Sequence, residues 1–254
     1  MGAPQTRRQN AGRGHYYMLD GHKSRGVTTL IGQGLPKPGL IDWAARTAAN
    51  YAVDRWDELA TLPPSKRIAA IQGAHRADRD QAANRGTEVH KLAERLTAGE
   101  EIEVPESLAG HVDSYVRFLD EWEPAPVLVE RPVFNRRHNY AGTPDLVADM
   151  DGRRWLLDIK TNRSGPFGEV ALQLAAYRYA EFYLDADGAE QPMPVVDETA
   201  VVWVRSDGYD LYRFTAGPDQ FRAFLYVAQV AEFRASATDL KGDSLRPTPR
   251  RVAA

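Results

Sequence analysis

Asp145, Asp158 and Lys160 fall in two apolar, strand-like runs, 141–150 and 154–160, that meet at Asp151-Gly152. An Asp-Gly pair between such runs predicts a two-residue hairpin loop, because both residues tolerate positive φ. That loop pairs Met150 with Arg153 and, counting outward, sets Asp145 directly across from Asp158. Lys160 is two residues on and projects from the same face as Asp158. Opposed carboxylates at a Cβ separation of about 4.5–5.5 Å repel each other. In an apolar strand pair they must share a proton or bind a cation. Leu146, Val147, Leu156, Leu157 and Ile159 supply that apolar setting. The plain alternative is a surface ion pair between Asp158 and Lys160 with Asp145 capping a turn. The hydrophobic surroundings weigh against it.

Glu130 extends the row if residues 136–139 form a four-residue loop, since that register sets Glu130 across from Asp145. Pro132 restricts pairing on one side. A row of three carboxylates suits a hard divalent ion, Mg²⁺ or Mn²⁺, which keeps waters and takes phosphate oxygens. Such an ion polarises a phosphoryl oxygen and acidifies a water, and Lys160 would position that water or steady the developing charge. The chemistry in view is hydrolysis of a phosphodiester.

The remaining pattern must position these groups. Residues 41–59 read as a helix with Asp42 as N-cap, a second helix starts near Pro63-Pro64, 84–96 continues or restarts it, and 105–122 carries an apolar stripe. Then the period changes: 127–134 alternates, the hairpin follows, and 167–184 reads as a long amphipathic helix. A second hairpin covers 199–205 and 209–214, and 217–235 closes as a helix. The expected fold is α/β, with a mixed central sheet (three antiparallel strands, a crossover helix, further strands) flanked by helices. Residues 26–240 form one domain, with a helical part over 41–122 and a catalytic core over 127–235. Residues 1–25 read as a flexible arm and 241–254 as a loose tail.

Bulk properties narrow the classes. The 254 residues contain no cysteine, which excludes disulfides, thiolate zinc and cysteine-held iron–sulfur clusters. No run is apolar enough for a bilayer and no signal segment opens the chain, so a cytoplasmic setting in a bacterial or phage-infected cell is expected. A net charge of −3 argues against coating nucleic acid by charge alone. Local basic clusters remain, Arg76/Arg79/Arg85 and Arg131/Arg136/Arg137/His138, from which Arg136 and Arg137 are candidate DNA contacts. Of the five tryptophans only Trp43, near the Pro36–Gly39 turn, suggests a DNA-facing role; the rest read as core.

Gly142-Thr143-Pro144-Asp145, Asp158-Ile159-Lys160-Thr161 and Gln173-Leu174-Ala175-Ala176-Tyr177 together resemble the PD-(D/E)XK nuclease superfamily, closest to its RecB-type branch and phage-encoded exonucleases. The resemblance is good over 90–177, and 27–43 looks like the N-terminal region of phage members. It implies a restriction-endonuclease-like core, with Asp145 and Asp158 as metal ligands, the Ile159 carbonyl as another, and Lys160 as catalytic lysine. Gly86-Thr87-Glu88-Val89-His90 resembles the motif carrying that branch's histidine ligand. Gln173 and Tyr177, one helical turn apart, match its Gln-x-x-x-Tyr motif beside the DNA. Glu130 fits an acidic strand position of the branch.

The expected function is therefore a metal-dependent DNA exonuclease acting at single- or double-stranded ends in recombination, repair or phage DNA processing, with a recombination or single-strand-binding protein as possible partner. A structure- or site-specific endonuclease of the same fold is the second enzyme reading. A non-catalytic DNA-end binder is the reading from another class. The intact acid–acid–lysine set argues against it, since a binder needs no such row.

Overall fold

The computed structural model describes residues 6–11 and 14–245, the side chain of Asp78 excepted. It begins with three antiparallel strands, β1 (Arg7–Ala11), β2 (Gly14–Leu19) and β3 (His22–Gly26). The expected flexible arm over 1–25 is corrected for the described part. Tyr17 and Leu19 are buried. Asp20-Gly21, with φ of 51° and 82°, makes the same kind of turn as Asp151-Gly152, with 51° and 69°. Residues 1–5 and 12–13 of that arm lie outside the described residues.

Helices α1 (Val27–Gly34), α2 (Pro38–Asp54), α3 (Trp56–Ala60) and α4 (Pro64–Thr97) follow. Pro38 and Pro64 stand in first turns, where a missing N–H costs nothing. The expected N-cap Asp42 consequently lies inside α2. The two helical stretches expected after Pro63 are one helix of 34 residues. A 3-10 turn (Glu106–Leu108) leads into α5 (Ala109–Trp122), which buries Val112, Tyr115 and Phe118 along the expected stripe.

Next come β4 (Ala125–Val129), β5 (Val133–Asn135), β6 (Tyr140–Gly142), β7 (Leu146–Met150) and β8 (Arg153–Lys160). The continuous strands expected over 127–134 and 141–150 are both broken. Glu130 has φ 50°, outside the extended region, and Pro132 and Pro144 bring no N–H. At these breaks the hairpin changes sheets, β4 pairing with β7 and β5 with β6. The register survives the break: Asn135 faces Tyr140 across a four-residue loop, and Val129 faces Leu146.

The chain continues with α6 (Val170–Arg178), β9 (Phe182–Leu184), β10 (Glu190–Pro192), β11 (Glu198–Arg205), β12 (Gly208–Arg213) and α7 (Pro218–Ser236), then a 3-10 turn (Ala237–Leu240). The helix expected over 167–184 is thus shorter. Phe182 and Leu184 are buried at a period of two, and the Glu181 and Leu184 N–H groups donate to the Phe134 and Pro132 carbonyls. Pairing with β5 satisfies backbone groups that further helical turns would otherwise have used. Residues 241–245 carry no helix or strand, and the rest of the expected tail lies outside the described residues.

The architecture is α/β with mixed sheets. A five-stranded sheet runs β12-β11-β8-β7-β4, with β8 and β11 parallel and the other neighbours antiparallel. Its two faces feed two cores. Val147, Leu156 and Val201 pack with Leu174 and Tyr177 of α6, Leu30 of α1 and Phe224 of α7. Leu146, Leu157, Ile159 and Val202 pack with Tyr115 and Phe118 of α5 and Ala93 of α4. A seven-stranded sheet, β1-β2-β3-β6-β5-β9-β10, holds a third core around Phe134 and Phe182. Among the described residues no helix is long and apolar enough to cross a membrane.

Candidate active site

Alternation in β8 assigns its side chains to faces. Leu157 and Ile159 enter the α5 core, so Leu156, Asp158 and Lys160 point the other way, towards α6. One turn of α6 then brings Gln173 and Tyr177 over them. Gln173 Nε2 donates to Asp158 Oδ1 at 2.6 Å, and its distance to the Tyr177 hydroxyl is 3.4 Å. Lys160 Nζ stands 2.5 Å from Asp158 Oδ2. That oxygen is buried and receives no well-directed hydrogen bond. The close approach of α6 requires Gly142, where an added Cβ would lie 2.3 Å from Tyr177 Cε1.

Asp145 sits one residue before β7, at the point where the chain crosses between sheets. Its Oδ2 accepts the Ile159 N–H at 2.6 Å, and its Oδ1 lies 3.2 Å from His90 Nδ1 on α4. Its carbonyl accepts the Glu130 N–H at 3.1 Å. His90, Glu130 and Asp145 each offer a ligand atom within 4.8 Å of the others, a group that could hold a metal ion. This group holds His90 and Asp145 of the expected ligands, and Asp158 is not among its three side chains. Glu130 is inside it. The Asp158 carboxylate is instead turned to Lys160 and Gln173.

Burial disfavours charge at every member, and neighbours decide which groups keep theirs. Burial lowers His90, but the Asp145 carboxylate beside it, by charge and hydrogen bond, raises it more, to about 9. Burial and the Asp145 charge push Glu130 up to about 7. Burial also pushes Asp145 upward, yet His90, Lys160 and the Ile159 N–H hold it below the usual carboxylate range. Asp158 ends above that range, burial outweighing the attraction of Lys160. Burial pulls Lys160 down, and Asp158 and Asp145 carry it above the ordinary amine value.

Two carboxylates and an imidazole, with no sulfur donor, fit a hard oxygen-seeking cation such as Mg²⁺ or Mn²⁺. Glu130 shows the same demand from another side: its ion pair with Arg8 is long, at 3.7 Å, so its charged form is under-compensated. Its φ of 50° is a strained backbone retained at this position.

These groups open into a cleft of about 1480 Å³. Gly86, Thr87, His90 and Lys91 of α4 line it, as do Arg8, His15, Tyr16, Tyr17, Lys23 and Arg25 of β1–β3. The β1–β3 wall was missed in the sequence, although Asp20-Gly21 between alternating segments carries the hairpin signal seen at Asp151-Gly152. The wall is tied to the site: Tyr17 hydroxyl and Thr143 Oγ1 are 2.9 Å apart, as are His15 Nε2 and the Tyr17 hydroxyl.

Arg136 and Arg137, expected as DNA contacts, do not line this cleft. Arg136 pairs with Asp20 at 2.8 Å and Glu190 at 2.6 Å and lies over the Phe182 ring, so its charge is spent on the seven-stranded sheet. The Arg137 N–H donates to Glu181 while its side chain is exposed. Trp43 packs edge-on against His75 of α4, also outside the cleft.

No family model and no curated protein matches the chain. Among solved structures, one described as the crystal structure of SSO0001 aligns over 85% of this chain and 75% of its own, with 15% identity and a TM-score of 0.30. A likeness of that size carries no argument.

Proposed function

We propose that this protein is a metal-dependent deoxyribonuclease of the PD-(D/E)XK type, RecB-like, with a restriction-endonuclease-like core, hydrolysing phosphodiester bonds at DNA ends. One observation carries the reading. His90 of α4, Glu130 just after β4 and Asp145 just before β7 come together into one group able to hold a metal ion, beside the buried Asp158–Lys160 pair and within a shared cleft. At about 1480 Å³ the cleft exceeds the roughly 300–1,000 Å³ of sites for a single small ligand, as a polymer substrate requires.

His90, Glu130 and Asp145 would hold Mg²⁺ or Mn²⁺, with Asp158 and the Ile159 carbonyl as further donors. A bound cation supplies positive charge at the phosphoryl oxygens and a more acidic water. Lys160 donates to the phosphate as its charge develops. Gln173 orients Asp158, and Tyr177, fixed against Gly142, keeps Gln173 in place. Arg8, Lys23 and Arg25 offer cations to flanking phosphates. A water oxygen bonds to phosphorus, the bond from phosphorus to the departing sugar oxygen breaks, that oxygen takes up a proton and leaves as a hydroxyl, and the protons of the attacking water pass to solvent.

The test is digestion of end-labelled linear DNA beside covalently closed circular DNA, with Mg²⁺, Mn²⁺ or EDTA. Metal-dependent loss of the linear form alone supports the exonuclease. Cutting of the circle replaces it with the endonuclease, and no cutting of either leaves the DNA-end binder.

A further inference from the structure

We propose that a second cavity beside Lys160 is a subsite for one terminal nucleotide of a single DNA strand, with Phe167 as the platform for its base. The proposal rests on the nuclease reading above. The cavity measures about 300 Å³ and shares Thr28, Lys160 and Gln173 with the main cleft, so the two spaces meet at the lysine. Its volume lies at the lower end of single-ligand sites, which suits one nucleotide and leaves no room for a base pair.

Its walls have the right chemistry. Ile31, Pro166, Phe167 and Val170 are apolar, and Lys37, Asn162 and Glu169 are polar. Phe167 is 54% exposed, an aromatic ring left open beside the proposed catalytic lysine. Its loop is held in place. Asn162 Nδ2 donates to the Gly165 carbonyl at 2.5 Å, Trp203 Nε1 to the Asn162 carbonyl at 2.7 Å, and the Val170 N–H to the Phe167 carbonyl at 3.0 Å. An exposed ring on a loop whose backbone is fixed is a stacking surface, and every base has a face to stack on it. Lys37, whose ion pair with Glu169 is 3.6 Å, adds a cation for sugar or terminal phosphate oxygens.

A strand running from the cleft past Lys160 into this cavity sets the scissile phosphate between its last two nucleotides. Water then bonds to that phosphorus and gives up its protons to solvent, the bond to the neighbouring sugar oxygen breaks, that oxygen is protonated to a hydroxyl, and the products are a mononucleotide and a strand one residue shorter.

The experiment uses single-stranded oligodeoxynucleotides carrying 2-aminopurine at the 5′ end, the 3′ end or an internal position. They are bound to the full chain with Ca²⁺, under conditions where a gel shows no cutting. Fluorescence is expected to be quenched at one end only. In Phe167→Ala the quenching is lost, and affinity for a short strand falls between about 5-fold and about 150-fold; Phe167→Trp retains both. Folding is not at stake, since the ring is largely exposed. Quenching that survives Phe167→Ala, equal quenching at the internal position, or a first product with Mg²⁺ longer than one nucleotide would overturn the subsite while leaving a nuclease. Absence of cutting with Mg²⁺ or Mn²⁺ overturns the nuclease reading itself.

Discussion

Glu130 and Asp145 are joined through the backbone, the Glu130 N–H donating to the Asp145 carbonyl at 3.1 Å, and their side chains converge with His90 into one group that could hold a metal ion. The strand pairing between β4 and β7 ends at Val129 and Leu146, the residue before Glu130 and the residue after Asp145. Both carboxylates therefore leave the sheet at the same level, where the two chains part for the second sheet.

That convergence makes cation binding compete with protons. Glu130 is raised to about 7 and His90 to about 9, and a cation requires Glu130 as carboxylate and His90 neutral. Mn²⁺ affinity should rise with pH through 7 and again towards 9, with protons released on binding. Calorimetry in buffers of different ionisation enthalpy counts those protons. Glu130→Gln should weaken Mn²⁺ by at least about tenfold and remove the inflection near 7. An unchanged proton count in that variant would take Glu130 out of the group.

Asp158→Ala should abolish cleavage while substantial DNA binding remains. Asp158→Asn keeps the shape and the acceptor for Gln173 Nε2, and should cost about 10²- to 10³-fold in rate, the scale for loss of one electrostatic partner. Unchanged cleavage in either variant would sink the assignment of the site.

Arg8 and Arg136 should separate by salt dependence. Arg8 lines the cleft, so Arg8→Ala should lower the slope of log affinity against log salt by about 0.7, one phosphate contact to a single strand. Arg136→Ala should leave the slope unchanged. It should lower stability by at most about 1 kcal/mol, since its ion pairs with Asp20 and Glu190 are solvent-screened. Equal slopes for Arg8→Ala and wild type would remove Arg8 from the DNA path.

Two glycines test packing. Gly142→Ala drives a Cβ to 2.3 Å from Tyr177 Cε1 and should destabilise by about 1–3 kcal/mol, displacing Tyr177 and slowing cleavage. Gly73, inside α4 with nothing within 4 Å of an added Cβ, should gain about 0.5–1 kcal/mol as alanine. Urea denaturation of the two variants gives both signs. A neutral Gly142→Ala would mean that α6 can shift away from β6.

What the sequence determined by itself was local and periodic. A two-residue Asp-Gly loop has one favoured geometry, so the β7–β8 register could be counted outward, and Leu146 does face Leu157. The four-residue loop at 136–139 likewise predicted that Val129 faces Leu146, which puts Glu130 beside Asp145. That Gln173 and Tyr177 share one helical face followed from their spacing of four, while their place in the site came from the resemblance. Tertiary structure alone decided where strands stop and change partners. Pro132 and Pro144 weaken the runs 127–134 and 141–150 locally, but that the chain changes sheets there was decided by the partners the two sheets offer. The same competition for backbone partners ends α6 at Arg178 and turns Phe182 and Leu184 into a strand on β5. It also decided that the β1–β3 hairpins fold back to line the cleft, through Tyr17 and Thr143, residues 126 positions apart. Contacts of that separation depend on the packed chain, and no local period in the sequence encodes them.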